Sequence, residues 1–181
     1  MTAPAGCISL AQDYWRKTLA GSATLQVWAG VHTDPSPATA VLERIHHEAL
    51  PPPDSGGEYT LSELQSLRPY VIVWTEEESG FELNISDMDA SQGFVESGSL
   101  RAELVQDVPS EIADDPAEVD LQFRNTVGQI LDDMAALAGQ AGYLAFTRIV
   151  ASGPHRAHPE HVTDMGDFQV YELLAFWGVR S

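Results

Sequence analysis

The sequence predicts an α+β fold, in which a long amphipathic helix and helices near the amino terminus pack on a mostly antiparallel sheet. The predicted elements run in the order helix, helix, strands, long helix, two strands. Elements segregated in this way, without regular alternation of strand and helix, are typical of α+β proteins. The stretch SLRAELVQDV also alternates apolar and polar residues, which indicates a sheet with one face in water.

The chain is expected to form a single domain over residues 1–181, in which residues 1–57 carry short helices and a proline-rich segment. A first helix is predicted from Ser9 to Leu19, with Ser9 and Gln12 as a capping box and Gly21 as its stop. The next residues, ATLQVWAGV, alternate well enough to predict a short strand.

A second helix is predicted to begin at Ser36, with Pro37 in the first position, where a missing N–H costs nothing. Its buried stripe comprises Ala38, Val41, Leu42, Ile45 and Ala49, and its edge carries His46 and His47. The prolines of PPPDSGGE end this helix, and that stretch is the most linker-like part of the chain.

Residues 58–181 are expected to hold the sheet and the long helix. Thr60 and Glu63 fit a capping box ahead of the short helix LSELQSL. Residues 70–75 are rich in β-branched and aromatic side chains and predict a strand, and residues 81–85 predict a weaker one. In SLRAELVQDV the alternation divides the side chains into Leu100, Ala102 and Leu104 on one face and Arg101 and Glu103 on the other.

The strongest helix signal begins with Asp115 as cap, Pro116 in the first position and Glu118 in the third. Its apolar face comprises Val119, Phe123, Val127, Ile130, Leu131, Met134 and Leu137. Gly128 lies inside this helix, where it costs ~1 kcal/mol relative to alanine, so a close contact with the sheet is expected there. The strands YLAFTRIVAS and FQVYELLAFWGV follow, joined by the loop GPHRAHPEHVTDMGD.

The charge balance bears on the partners of the chain, since 27 acidic against 9 basic residues leave a net charge of −18. Nucleic-acid affinity comes largely from neutralising phosphates, so we expect no direct, sequence-specific nucleic-acid binding. Cys7 is the only cysteine, which excludes an internal disulfide and predicts a reducing compartment. The first residues do not fit a signal peptide, and no apolar stretch approaches the ~20 residues of a membrane helix.

The histidines of the last predicted loop are the candidate metal ligands. His155, His158 and His161 recur every third residue, with two aspartates close behind. Histidines and carboxylates suit a zinc site, so one interpretation is a metal-dependent hydrolase. Pro159, however, disrupts the helix that would bring the three rings together. We therefore interpret the run as an exposed polar loop, expect no metal and no cofactor, and keep the hydrolase as an alternative.

No other pattern predicts catalysis. A GxSxG nucleophile motif and a phosphate-binding glycine loop are both missing from the sequence. Paired carboxylates such as Asp132 and Asp133 are expected on any solvated face of so acidic a chain, and adjacent residues do not face each other on a helix. The sequence therefore predicts no catalytic residue. It places the four tryptophans mostly in the core, namely Trp15, Trp28, Trp74 and Trp177.

Residues 60–180 present a series of segments that resembles a known family. The series is PYVIVW, GSLRAELVQDV, FRNTVGQILDDMAALAG, YLAFTRIVASGP and a last aromatic strand that ends in FWG. In element order and strand character it resembles the tail-terminator and tail-completion proteins of long-tailed phages, including the minor tail protein of the lambda type. The first 50 residues fit this family only loosely.

The resemblance implies a non-enzymatic phage or prophage structural protein. Copies would form a ring, typically a hexamer, that caps the tail tube and meets the head connector. The ring would be assembled in the bacterial cytoplasm and retained in the virion tail. Partners would then be further copies, the tail tube protein and connector proteins, with no membrane. Arg148, Arg156 and Arg180 are candidates for pairing with a neighbour's acids. A small acidic binding module of the host is the other alternative.

Overall fold

The computed structural model describes residues 7–53, 56–75, 95–108, 115–156 and 168–180. The described helices are α1 (Cys7–Gly21), α2 (Ala23–Trp28), α3 (Pro37–Leu42), α4 (Leu61–Leu67) and α5 (Pro116–Leu137). The described strands are β1 (Ile45–His47), β2 (Tyr70–Thr75), β3 (Val95–Asp107), β4 (Phe146–Arg156) and β5 (Phe168–Arg180). The predicted α+β class is confirmed. Within these ranges no helix is both long and apolar enough to cross a membrane.

The described strands form one mostly antiparallel sheet in the order β1-β2-β3-β5-β4. Only β1 and β2 run parallel to each other. The two long central strands, β3 and β5, pair without a shift from Val95 opposite Arg180 to Asp107 opposite Phe168. The outer strand β4 is less regular, with one register shift before Arg148 and another after Ser152. The sheet is thus organised around its central pair.

One face of the sheet is buried under the helices. Leu100, Ala102 and Leu104 of β3 are buried on that face, as the alternation predicts. The same core cluster includes side chains of β2, β5, α1 and α5, namely Val71, Val73, Leu173, Ala175, Trp15, Leu19, Phe123, Val127, Ile130 and Met134. The ring of Phe123 meets Tyr171 edge-on, with 5.6 Å between the ring centroids. The apolar face of α5 therefore packs on the sheet as predicted.

A partly buried polar network connects α2, β3, β5 and α5 at one end of this core. Trp28 Nε1 donates to Gln106 Oε1 at 2.7 Å, and Gln106 Nε2 donates to Gln169 Oε1 at 3.3 Å. Gln169 is fully buried, and its Nε2 donates to Asp120 Oδ1 at 2.6 Å. Each link satisfies a polar group that would otherwise be costly to bury. The network accordingly favours one alignment of four elements.

The predicted strand after α1 is wrong, because residues 23–28 form helix α2. Ser22 caps this helix, and its Oγ accepts the N–H of Leu25 at 3.0 Å. Asp133 of α5 completes the cap by accepting the N–H of Thr24 at 2.9 Å and the hydroxyl of Ser22 at 2.8 Å. A carboxylate distant in sequence thus satisfies the free donors of the first turn, and this tertiary cap outweighs the local alternation.

The second predicted helix is too long. Helix α3 ends at Leu42, and Ile45 starts strand β1, where it lies opposite Val71 and is buried. His46 and His47 therefore lie on a strand instead of a helix edge, and Ala49 is exposed. The parallel pairing with β2 satisfies the backbone of residues 45–47 as a helix would, and it also places Ile45 in the core. Ser36 precedes α3 without a side-chain capping bond.

Several boundaries and one packing expectation also change. Helix α1 includes Cys7, so Ser9 lies inside the first turns and is not the cap. A Cβ built on Gly128 meets nothing within 4 Å, so the expected close contact with the sheet is wrong: Gly128 lies on the exposed side of α5. The caps at Thr60 and Asp115 are confirmed. The weak strand predicted at residues 81–85 lies outside the described residues.

The packing of α5 predicts a large cost for truncating its central core residue. Ile130 is fully buried, so we expect Ile130→Ala to lower the free energy of unfolding by ~2–5 kcal/mol. Leu121 on the same helix is 50% exposed and is the control, for which Leu121→Ala is expected to change stability by less than ~0.5 kcal/mol. Urea denaturation followed by circular dichroism measures both. Equal losses would contradict this assignment of the helix faces.

The tertiary cap on α2 predicts an acid-sensitive contribution from Asp133. The N–H of Thr24, with smaller contributions from the Ser22 hydroxyl and other neighbouring donors, holds the pKa of Asp133 below its usual value. Its stabilisation is therefore present above the usual pKa and is lost as the pH falls through the lowered one. We expect Asp133→Ala to cost ~1–2 kcal/mol at neutral pH. The neighbouring exposed Asp132→Ala is the control, and the two variants should converge with the wild type in acid.

Candidate functional site

The three histidines that were candidate metal ligands, His155, His158 and His161, are only partly within the described residues. His155 lies on β4 and not in a loop, is exposed, and has its Nε2 3.1 Å from Ser152 Oγ. His158 and His161 lie outside the described residues. Across the described ranges, no three His, Cys, Asp or Glu side chains are grouped so that they could hold a metal ion. The expectation of no metal at these histidines stays a prediction, and the metal-dependent hydrolase stays its alternative.

The candidate site is the face of the sheet opposite helices α1, α2, α3 and α5, which we call the outer face. At one end of this face the described side chains are Ile72, Trp74, Arg101, Glu103, Arg148, Val150, Ser152, Glu172, Leu174 and Phe176. Toward the other end the face continues to Tyr70 and Val105, which lie opposite each other and are buried. One row of neighbours across four strands is Trp74, Arg101, Leu174 and Val150. Since side chains of a strand alternate, these residues point away from the core residues that flank them.

The outer face keeps a substantial apolar surface in contact with solvent. Ile72, Leu174 and Phe176 are half-buried, and Val150 is 37% exposed. Trp74 belongs to the same set, so its predicted place in the core is wrong. The reason is the two-residue period of β2, which turns the neighbouring Val73 to the core and Trp74 outward. By contrast, the predicted burial of Trp15 and Trp177 is confirmed.

A charged network lies at the centre of the outer face. Arg101 Nη2 donates to Glu172 Oε1 at 2.6 Å, and it lies 3.1 Å from Glu103 Oε1. The same guanidinium lies over the Trp74 ring, 5.1 Å from its centroid. Two carboxylates thus share one cation at the centre of an apolar surface. Burial is the main cause that raises the pKa of Glu103, the charge of Glu172 adds to it, and Arg101 opposes it.

Arg148 is the peripheral cation of the outer face. Its side chain is exposed and lies over the Phe176 ring, 5.8 Å from the centroid. The ion pairs found within the described part of the chain involve other cations, so Arg148 has no carboxylate partner there. The prediction that Arg148 pairs with a neighbour's acid is untested but compatible with this position. The side chains of Arg156 and Arg180 lie outside the description.

Among the described strands, the sheet ends in two different edges. Strand β4 lies on one side with 11 residues, of which Thr147, Ala151 and Ser152 are exposed. Strand β1 closes the other side with only 3 residues and runs parallel to its neighbour. An edge strand offers backbone donors and acceptors that can pair with another chain. The β4 edge is the longer of the two and gives the molecule a second candidate contact surface.

Neither a scan against protein-family models nor a search of curated proteins finds a match to this chain.

The outer face predicts an unusual pH dependence for Glu103. The pKa of Glu103 is raised in the folded protein, so the native state binds a proton more readily than the unfolded chain does. Protonation of Glu103 therefore stabilises the protein as the pH falls from the raised pKa toward the ordinary value of ~4.3. We expect the stability of the wild type relative to Glu103→Gln to rise over that window. Glu118→Gln, on an exposed turn of α5, is the control. A pH-independent difference, measured by thermal unfolding, would contradict the raised pKa.

Proposed function

We propose that the protein is a self-assembling structural protein of the tail-terminator type, whose copies join through the edges of their sheets. The β4 edge is the single observation that carries this proposal: it is 11 residues long, and most of its side chains are exposed. A long exposed edge is normally shortened, covered or used, because it can template pairing with another chain. Use by a neighbouring copy is consistent with the ring that the family resemblance implies.

The two sheet edges differ in a way that supports a head-to-tail assembly. A ring needs two different surfaces on each copy that fit one another, in contrast to a two-fold dimer, which uses one surface twice. Strands β4 and β1 lie at opposite ends of the sheet, and they differ in length and in the direction of their neighbour. Each copy could therefore present β4 to the β1 side of the next copy.

The biological setting follows from the resemblance and the charge. We infer a tail terminator, or a related head–tail joining component, of a phage or prophage that caps the tail tube and meets the head connector. A net charge of −18 suits such a ring, since a negative channel repels DNA phosphates and lets the genome pass without sticking. The role is structural and needs no catalytic residue.

The assembly proposal predicts that salt promotes closure. A net charge of −18 makes copies repel each other in dilute, low-salt solution. Salt shortens the Debye length from ~10 Å at 0.1 M to ~3 Å at 1 M, so we expect a monomer or small oligomer at low salt and a closed ring at high salt or concentration. Multi-angle light scattering across a salt series measures the mass, and electron microscopy shows whether the particles are closed.

The controls separate a ring from its alternatives. Open aggregates would grow in mass with concentration without reaching a plateau, whereas a closed ring has one fixed mass. A protein that is monomeric at every salt concentration, with no cyclic contact in its crystals, would contradict the proposal and favour a binding module. Stoichiometric zinc after purification without an affinity tag, lost in His158→Ala, would instead favour the hydrolase.

A further inference from the structure

We propose that a second copy of this chain docks on the outer face, so that two sheets pair face to face about a two-fold axis. This contact is separate from the edge contact of the proposed ring, since it uses the side chains of the sheet surface and not its backbone edge. Three features of the outer face carry the inference: its apolar content, its charge balance and the arrangement of its charges.

The apolar content of the outer face is of the kind that anchors an interface. Trp74 and Phe176 contribute two large rings, and Ile72, Leu174 and Val150 surround them. Aromatic residues and arginines dominate the binding energy of protein contacts when they become desolvated. Here each ring already carries an arginine, Arg101 on Trp74 and Arg148 on Phe176, so the rings and cations are held in defined positions.

The charge balance selects a second copy as the occupant. The ten side chains named above for the outer face include two arginines (101 and 148) and two glutamates (103 and 172), whose charges sum to zero, whereas the whole chain carries −18. Two copies repel each other through most orientations because of that net charge. They meet the least repulsion where a neutral apolar surface faces another one. A partner of opposite charge would instead be drawn to acidic surfaces elsewhere on the molecule.

The arrangement of the charges is self-complementary. At the centre of the outer face Glu103 and Glu172 share Arg101, which leaves one negative charge in excess. At the periphery Arg148, which lacks a carboxylate partner in the described part of the chain, leaves one positive charge in excess. Across a two-fold axis each peripheral arginine can approach the partner's central glutamates, because such an axis brings unlike positions together in reciprocal pairs.

The dimensions predict a weak, reversible pair. Four strands at ~4.8 Å spacing make the face about 14 Å wide, and sheets stack with ~10 Å between them. A contact of this width lies toward the small end of specific interfaces, so association is expected at high protein concentration and not at high dilution. Packed sheets keep their strands within about 30° of each other, which sets the expected orientation.

Matched pairs of variants test the inference by sedimentation equilibrium over a concentration series. Leu174→Glu places a charge on the outer face, and Leu121→Glu makes the same change on exposed α5. Arg148→Glu and Arg124→Glu form a second pair, both at exposed positions with equal changes in net charge. We expect the outer-face variant of each pair to weaken dimerisation by at least ~10-fold relative to its control, about 1.4 kcal/mol.

The second pair keeps the test valid if Leu174→Glu fails to fold, because Arg148 is exposed and its replacement leaves the core untouched. Circular dichroism and the urea midpoint establish folding for each variant. If the outer-face variant and its control weaken dimerisation equally in both pairs, the inference is overturned, because general charge repulsion then accounts for the result.

Hydroxyl-radical labelling of Trp74 and Phe176 identifies the occupant. Protection that grows with protein concentration supports a second copy. Protection that is constant at every concentration would mean that the chain covers its own outer face, and it would overturn the inference. The face-to-face contact can be tested separately from the ring. If Leu174→Glu still forms a closed ring but no longer forms the face-to-face dimer, both contacts are supported.

Discussion

The structure depends on one constraint, the register between the central strands β3 and β5. Their pairing runs unbroken from Val95 opposite Arg180 to Asp107 opposite Phe168. Because side chains alternate, a slip of one residue would move every core side chain of one strand to the solvent side. The register therefore decides two things at once: which residues bury against the helices, and which make the outer face.

Polar side chains hold that register more strictly than the apolar core does. A slip by two residues would keep leucines and alanines facing the helices, but it would separate Gln106 from Gln169. Gln169 is fully buried and reaches Asp120 on α5, while Gln106 accepts from Trp28 on α2. A shifted strand would leave the buried amide of Gln169 without its partners, which costs ~1–3 kcal/mol. The network thus connects the position of both helices to the pairing of the strands.

Charge is distributed differently over α5 and over the outer face. The acidic side chains of Asp115, which caps α5, and of Glu118 and Asp132 on α5 are exposed. The outer face combines balanced charges with half-buried aromatic rings, and burial raises the pKa of Glu103 within it. If copies assemble as we propose, repulsion between acidic surfaces would disfavour most orientations, and the neutral outer face and the sheet edges would remain as the contacts.

The sequence by itself determined the elements whose signals are local. Alternation in residues 99–108 and the cap and apolar stripe of α5 predicted correct elements, because both follow from the periodicity of the backbone. It also determined which side chains share a face of β3, including Arg101 and Glu103. Only the tertiary structure decided the rest. Residues 23–28 became a helix because Asp133 caps it from α5, and residues 45–47 became a strand because β2 lies beside them. The outer face likewise joins residues from four strands that only the sheet makes neighbours, and no local pattern specifies a partner distant in sequence.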